Sequence, residues 1–219
     1  KEKKRSFRQL IDPYQKVLPW LDLGADMLLG LQADRKATVS DEMFLPVHLR
    51  DNLASAVIVH DGKQEPLTGP VETVADLPAA ATIRNTWVPQ VVFWIVFLFV
   101  LLVTFVFKRP ALEKFADFLF FPVYSLIAIL LAFTNIFSEH DALHFNLLFL
   151  GINILIPVLA FLLVAGRKAA KMSRLTLTVS ALWLPASLIA GQGINPALIP
   201  VVLIIMTRIF SHCRFGKSL

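Results

Sequence analysis

From Trp87 to the C-terminus the chain alternates long apolar runs with short polar loops, whereas before Trp87 apolar and charged positions are mixed at short range. The first apolar run is WVPQVVFWIVFLFVLLVTFVF, Trp87 to Phe107. Roughly 20 helical residues cross the ~30 Å hydrocarbon of a bilayer, so this run predicts a spanning helix. Four more runs follow, from Phe118 to Phe137, Phe145 to Ala165, Leu175 to Ala190 and Pro196 to Phe210. The last two are short and hold prolines, so their ends are the least sharply defined. The pattern predicts a mainly α protein: a polytopic membrane helical bundle of about five spans, preceded by a small α+β segment.

That leading segment is too polar to cross a membrane. Phe7, Leu10, Ile11 and Tyr14 have helical spacing. Val17 to Leu31 is more apolar, but Asp22 and Asp26 make it a poor spanning helix, because a carboxylate at mid-bilayer is costly. Its Trp20, Leu23 and Met27 are read as core residues, with contact to a membrane surface as the alternative. Ser40 is the expected N-cap of a helix over DEMFLPVHLRDNLASA, which Pro46 would end or kink. Asp61-Gly62 between AVIVH and KQEPL predicts a type I′ hairpin, since both turn positions tolerate positive φ. Thr68 to Ala81 reads as a linker.

Composition supports the membrane reading. The chain has 219 residues, 56% of them hydrophobic, against about 45–50% in soluble domains. Charge then supplies an orientation. Lys1 to Asn85 carries 11 Lys+Arg against 12 Asp+Glu, and Thr86 to Leu219 carries 10 against 4. The basic excess lies in short loops, not in one patch, so it speaks to topology and against a nucleic-acid partner. Lys108, Arg109 and Lys114 follow the first run, Arg167, Lys168, Lys171 and Arg174 the third, and Arg208, Arg214 and Lys217 lie at or after the fifth. The alternate loops, SEHDALH and GQGIN, contain neither Lys nor Arg. By the positive-inside rule the N-terminal part is outside and the C-terminus cytoplasmic. Residues 1–85 are therefore assigned to an extracytoplasmic segment with its linker, and 86–219 to a transmembrane helical domain. The first residue is Lys and no secretory leader pattern follows, which leads us to expect part of a longer chain.

The most suggestive polar cluster is TNIFSEHDALHFN, Thr134 to Asn146. On a helix, His140 and His144 would share a face with the spacing of a zinc site, with Asp141 where zinc proteases carry Glu, but no third ligand accompanies them. The same residues also suit a solvated loop. A third reading gives Asn135, His140, His144 and Asn146 the positioning of a lipid headgroup or acyl chain. Asn153, Thr176, Thr178 and Ser180 read as helix–helix hydrogen-bonding residues. Cys213, the only cysteine, is expected on the cytoplasmic side beside a solvated His212 and Arg214, and it permits no intrachain disulfide. His48 and His60 read as surface or packing residues. No serine sits in a glycine-framed nucleophile turn and no glycine loop is built to cradle phosphate. No metal and no cofactor is expected.

Ser6 to Leu49 contains, in order, FRQLID, PWLDLGADMLLG, ADRKAT and EMFLP. This run resembles the end of the periplasmic domain of the bacterial Lnb family, the lipoprotein N-acyltransferases. SEHDALHFNLLFLGINIL, Ser138 to Leu155, is similar to the family's outer-loop His followed by Asn-Leu-Leu, although Asp141 stands where the family has Pro. The resemblance implies a multi-pass protein of the bacterial inner membrane with a periplasmic N-terminal part. It implies transfer of a fatty acyl chain from a phospholipid donor to the α-amino group of a diacylglyceryl-cysteine lipoprotein, through a thiolate and an acyl-enzyme. It places the catalytic Cys and His in a papain-like region ahead of FRQLID, outside these residues. A non-catalytic membrane anchor or assembly subunit of an envelope complex is the alternative, and an intramembrane metalloprotease a more distant one.

Overall fold

The computed structural model describes residues 5–70, 72–75 and 88–215. The boundary at Trp87, Lys217 and much of the expected linker lie outside the described residues.

The N-terminal segment opens with α1 (Phe7–Gln15), capped by Ser6. The Ser6 hydroxyl accepts from the Gln9 N–H at 3.3 Å while Gln9 Oε1 accepts from the Ser6 N–H at 3.1 Å, a reciprocal capping box. α2 (Pro19–Leu28) starts on a proline, whose missing N–H has no helical partner to lose there. A 3-10 turn covers Leu31–Asp34. The next helix differs from expectation. Its N-cap is Thr38, whose hydroxyl accepts from the Asp41 N–H at 3.1 Å, and α3 (Val39–Glu42) is one turn long. Pro46 does not end or kink a helix but opens α4 (Pro46–Ser55), for the same reason that Pro19 opens α2. The hairpin forms as the turn chemistry dictates: β1 (Val57–His60) pairs antiparallel with β2 (Lys63–Pro66), and Asp61 and Gly62 take φ of 49° and 75°.

All five apolar runs are helical, with revised ends. α5 (Pro89–Leu101) continues through a wider π-helical stretch, Leu102–Phe107, and stops at Lys108 in the left-handed region. α6 (Pro110–Phe137) begins well before Phe118. Its 28 residues give about 42 Å of helix against ~30 Å of hydrocarbon. The third run is broken into α7 (Leu148–Gly151) and α8 (Leu155–Val164). The fourth divides at Leu182 into α9 (Ala170–Ala181) and α10 (Trp183–Ala190), and the fifth is α11 (Leu198–Phe215). Among the described residues three helical stretches are long and apolar enough to cross a membrane, Pro89–Phe107, Pro110–Phe137 and Ala170–Ala190. Leu148–Val164 and Leu198–Cys213 are shorter apolar helices.

The break before α8 has a local cause. In a continuous helix the Pro157 ring would meet the carbonyl of Asn153 and offer it no N–H. Asn153 closes the gap: its Oδ1 accepts from the Leu155 N–H at 3.1 Å, and its Nδ2 donates to the Leu150 carbonyl at 2.9 Å and to Ser180 Oγ at 3.0 Å. Asn153 and Ser180 thus form the interhelical pair expected of them. Thr176 and Thr178 do not. Their hydroxyls donate to Met172 and Arg174 one turn back in the same helix, a bond always within reach of a helical threonine.

The core centres on α11, whose Val201, Val202, Ile204, Ile205 and Ile209 are buried against α5 and α9. Leu148, Ile152, Ile156 and Leu159 complete it. Leu23 of α2 is buried in this same cluster, and Met27 packs on it. Trp20 stays half-exposed, edge-on to Phe93 of α5 at 6.0 Å. The N-terminal segment and the apolar helices therefore share one core.

Candidate functional site

The N-terminal segment is fastened to one end of the bundle by two polar networks. Arg8, projected from α1, is at the centre of the first and is buried. Its Nε donates to Asp34 Oδ1 at 2.8 Å and its Nη2 to Asp34 Oδ2 at 3.2 Å, the two-pronged geometry that suits a guanidinium and a carboxylate. Nη2 also reaches the Leu29 carbonyl at 3.2 Å, and Nη1 pairs with Asp26. The loop between α10 and α11 completes the arrangement. The Gly193 N–H donates to Asp34 Oδ2 at 3.0 Å, and Asn195 Nδ2 donates to Asp26 at 3.0 Å and Asp22 at 3.1 Å. A Cβ on Gly193 would lie 2.7 Å from the Arg8 side chain, so the loop approaches closely only because glycine is there.

The second network ties α2 to the loop after α6. The Gly30 N–H donates to the Ala142 carbonyl at 2.8 Å, and Asn146 Nδ2 donates to the Met27 carbonyl at 2.8 Å. Asn146 in turn accepts from the Leu148 N–H at 3.0 Å and from Gln192 Nε2 at 3.2 Å, while its own N–H donates to Asn135 Oδ1 at 2.8 Å. At Gly30 an added Cβ would stand 2.0 Å from the His144 carbonyl oxygen, part of the backbone. We expect G30A to loosen the segment from the bundle without unfolding the membrane helices. Limited proteolysis would show faster cleavage within residues 5–70 and an unchanged helical remainder.

Of the sequence-derived site residues, the fold brings Asn135 and Asn146 into direct contact and spends their side-chain amides on protein partners. His144 places Nε2 2.7 Å from the Ser138 carbonyl, which can only accept, so that nitrogen carries the hydrogen. The His140 side chain is exposed, and its backbone N–H donates to Ser138 Oγ at 3.1 Å. Asp141–Leu143 is a 3-10 turn with His144 extended after it, so the two histidines do not share an α-helical face as a zinc pair would require. Among the described residues no group of three or more His, Cys, Asp or Glu is disposed to hold a metal. His48 lies against Arg5 at 3.1 Å and His60 is exposed in the hairpin.

Between the segment and the bundle lies a cleft of about 460 Å³, lined among others by Lys16, Pro19, Asp22, Gln90, Asn195 and Pro196. The Asp22 Oδ1 is buried with no hydrogen-bond partner. Burial, and then the charges of Asp26 and Asp12, hold the Asp22 carboxyl above the ordinary carboxylate range. A raised carboxylate pKa favours the protonated group in the fold, so this position weakens the fold as pH rises above the unfolded value of 3.8. D22N is therefore expected to melt higher than the wild-type protein at neutral pH. The difference should close as pH falls below 3.8, which thermal scans across pH would read directly.

At the opposite end, sequence reasoning missed a buried charged cluster. Arg208 is fully buried, so it is no loop cation marking topology. Its Nε donates to Asp117 at 2.7 Å and its Nη1 to Thr104 Oγ1 at 2.7 Å, where the π-helical stretch of α5 presents that hydroxyl. His212 is not a solvated tail residue either: it is buried, with Nε2 3.0 Å from the second Asp117 oxygen. A polar residue every fourth position of α11, Arg208 and His212, was the available signal, masked by reading the run as ending at Phe210.

Long apolar helices around one core, capped at one end by a docked polar segment, define an integral membrane helical protein. A family model described as the Lnb transmembrane domain matches residues 82–218, and the chain belongs to the Lnb family. Searches of the curated proteins and of the solved structures each returned no match.

Proposed function

We propose that this chain is the membrane-embedded part of a lipoprotein N-acyltransferase. The reaction moves a fatty acyl chain from a phospholipid to the α-amino group of a diacylglyceryl-cysteine lipoprotein. In this reading the helices make five passes of the bacterial inner membrane, residues 1–85 belong to the periplasmic side and residues 86–219 form the transmembrane domain ending in the cytoplasm. The loop charges support that orientation.

The observation that carries the reading, beside family membership, is where the Lnb-like motif residues go. Arg8 of FRQLID, Asp22 and Asp26 of PWLDLGADMLLG, and Asp34 of ADRKAT converge on Gly193 and Asn195 of the bundle. A region that ends in these motifs is thereby fixed at the membrane surface beside the cleft, where a phospholipid or a lipid-modified N-terminus arrives laterally. Asn135 and Asn146 position this junction, and His144 and the exposed His140 stand on the loop they hold. The described residues offer no thiol at this end: Cys213 belongs to the far end of α11, so the acyl-enzyme thiol is assigned outside residues 1–219.

The test is intact-mass analysis of lipoproteins in cells lacking the full-length gene. Loss of the N-linked acyl chain, restored by the complete gene and not by residues 1–219 alone, is the expected result. Unchanged acylation would leave a non-catalytic anchor as the account, and rescue by this segment alone would place the nucleophile within it.

A further inference from the structure

A groove of about 420 Å³, within the size range of ligand pockets, opens on the flank of the bundle between α6 and α8 at the end away from the docked segment. Phe118, Pro122, Ala160 and Val164 form its apolar walls, and Lys114 and Asp117 stand at one end of it. Pro122 on its wall is a proline within α6, which cannot give the Phe118 carbonyl its helical N–H. Because α6 is a membrane-spanning helix, an apolar groove on its exposed flank faces lipid.

We propose that this groove holds one acyl chain of an anionic phospholipid, with the phosphate on Lys114. The charges decide the headgroup. Lys108 and Arg109 directly precede α6, and Arg167 and Lys168 follow α8, so cations flank the adjoining ends of the two helices that form the groove. The carboxylates nearby do not cancel them: Asp117 is turned inward to Arg208 and His212, and Glu113 is buried. Lys114 is exposed and on the groove itself, where a long side chain lays its methylenes on apolar walls and offers its ammonium to a phosphodiester. Basic pockets between membrane helices bind anionic headgroups in this way. The site lies at the opposite end of the bundle from the proposed acyl-transfer junction and is independent of that assignment.

The experiment is native mass spectrometry of the purified full-length protein titrated with phosphatidylglycerol or with phosphatidylcholine of the same chains. One phosphatidylglycerol should be retained in preference to phosphatidylcholine. K114A should weaken its retention about fivefold, as expected for one basic residue at an anionic headgroup. A160W, which fills the groove, should abolish it, and K171A, an exposed cation off the groove, should leave it unchanged. Equal retention of both lipids, equal effects of K114A and K171A, or full retention by A160W would each overturn the proposal. K114A alters only an exposed side chain, so it reads the site even if A160W fails to fold.

Discussion

R208A is expected to destabilise the protein by about 3–5 kcal/mol, the range for removing one member of a buried ion pair. Arg208 is fully buried and meets a carboxylate and a backbone carbonyl of α6 and a hydroxyl of the π-helical stretch that follows α5. Its loss leaves Asp117, itself 3% exposed, beside His212 without the guanidinium that faced it. The physical cost is an uncompensated carboxylate rather than a missing contact. Replacing both partners with apolar residues, R208M together with D117L, should therefore be far less damaging than R208A alone. Thermal unfolding in detergent micelles checks both. If R208A melts with the wild-type protein, the cluster does not hold α5, α6 and α11 together.

R8A should produce a loss of similar size, about 3–5 kcal/mol, but confined to the docking of the N-terminal segment. The substitution strands Asp26 and Asp34, whose side chains are 9% and 13% exposed, and releases the loop at Gly193. R8K keeps the charge but lacks the fork that spans Asp34, Asp26 and the Leu29 carbonyl, so it should fall between the two. The readout is hydrogen exchange. The amides of Gly30 and Gly193 should lose protection while those of α11 keep it. Protection unchanged at Gly193 would show that Asn146 and Gly30 suffice to hold the segment.

The bundle was legible because hydrophobic length is a blunt signal: each apolar run became helix, and the Asp61-Gly62 turn followed from the φ its residues tolerate. Helix starts were less legible where two cap residues compete. Thr38 and Ser40 are both good caps, and the position of Asp41 three residues after Thr38 selects the first. The junction was legible only in part. Asn135 and Asn146 stood out as polar residues near a membrane end, but Arg8, Gln192 and Asn195 are unremarkable in their local windows. Their partners lie far along the chain, as Asn195 with Asp22 and Asp26 shows. The charged cluster was hidden for a different reason. Charge near the end of an apolar run reads as solvated, and only the packing of three helices reveals that Arg208 and His212 turn inward.

The broken third run also bears on how the chain enters the bilayer. Synthesis delivers α7 and α8 before α9, yet the Asn153 amide finishes its bonding on Ser180, 27 residues later. Until α9 arrives, an amide and the open backbone around it face hydrocarbon or must keep water. In the five-pass reading proposed above, insertion of the third run is completed by its successor, and the stretch from Leu148 to Ala190 assembles as one unit.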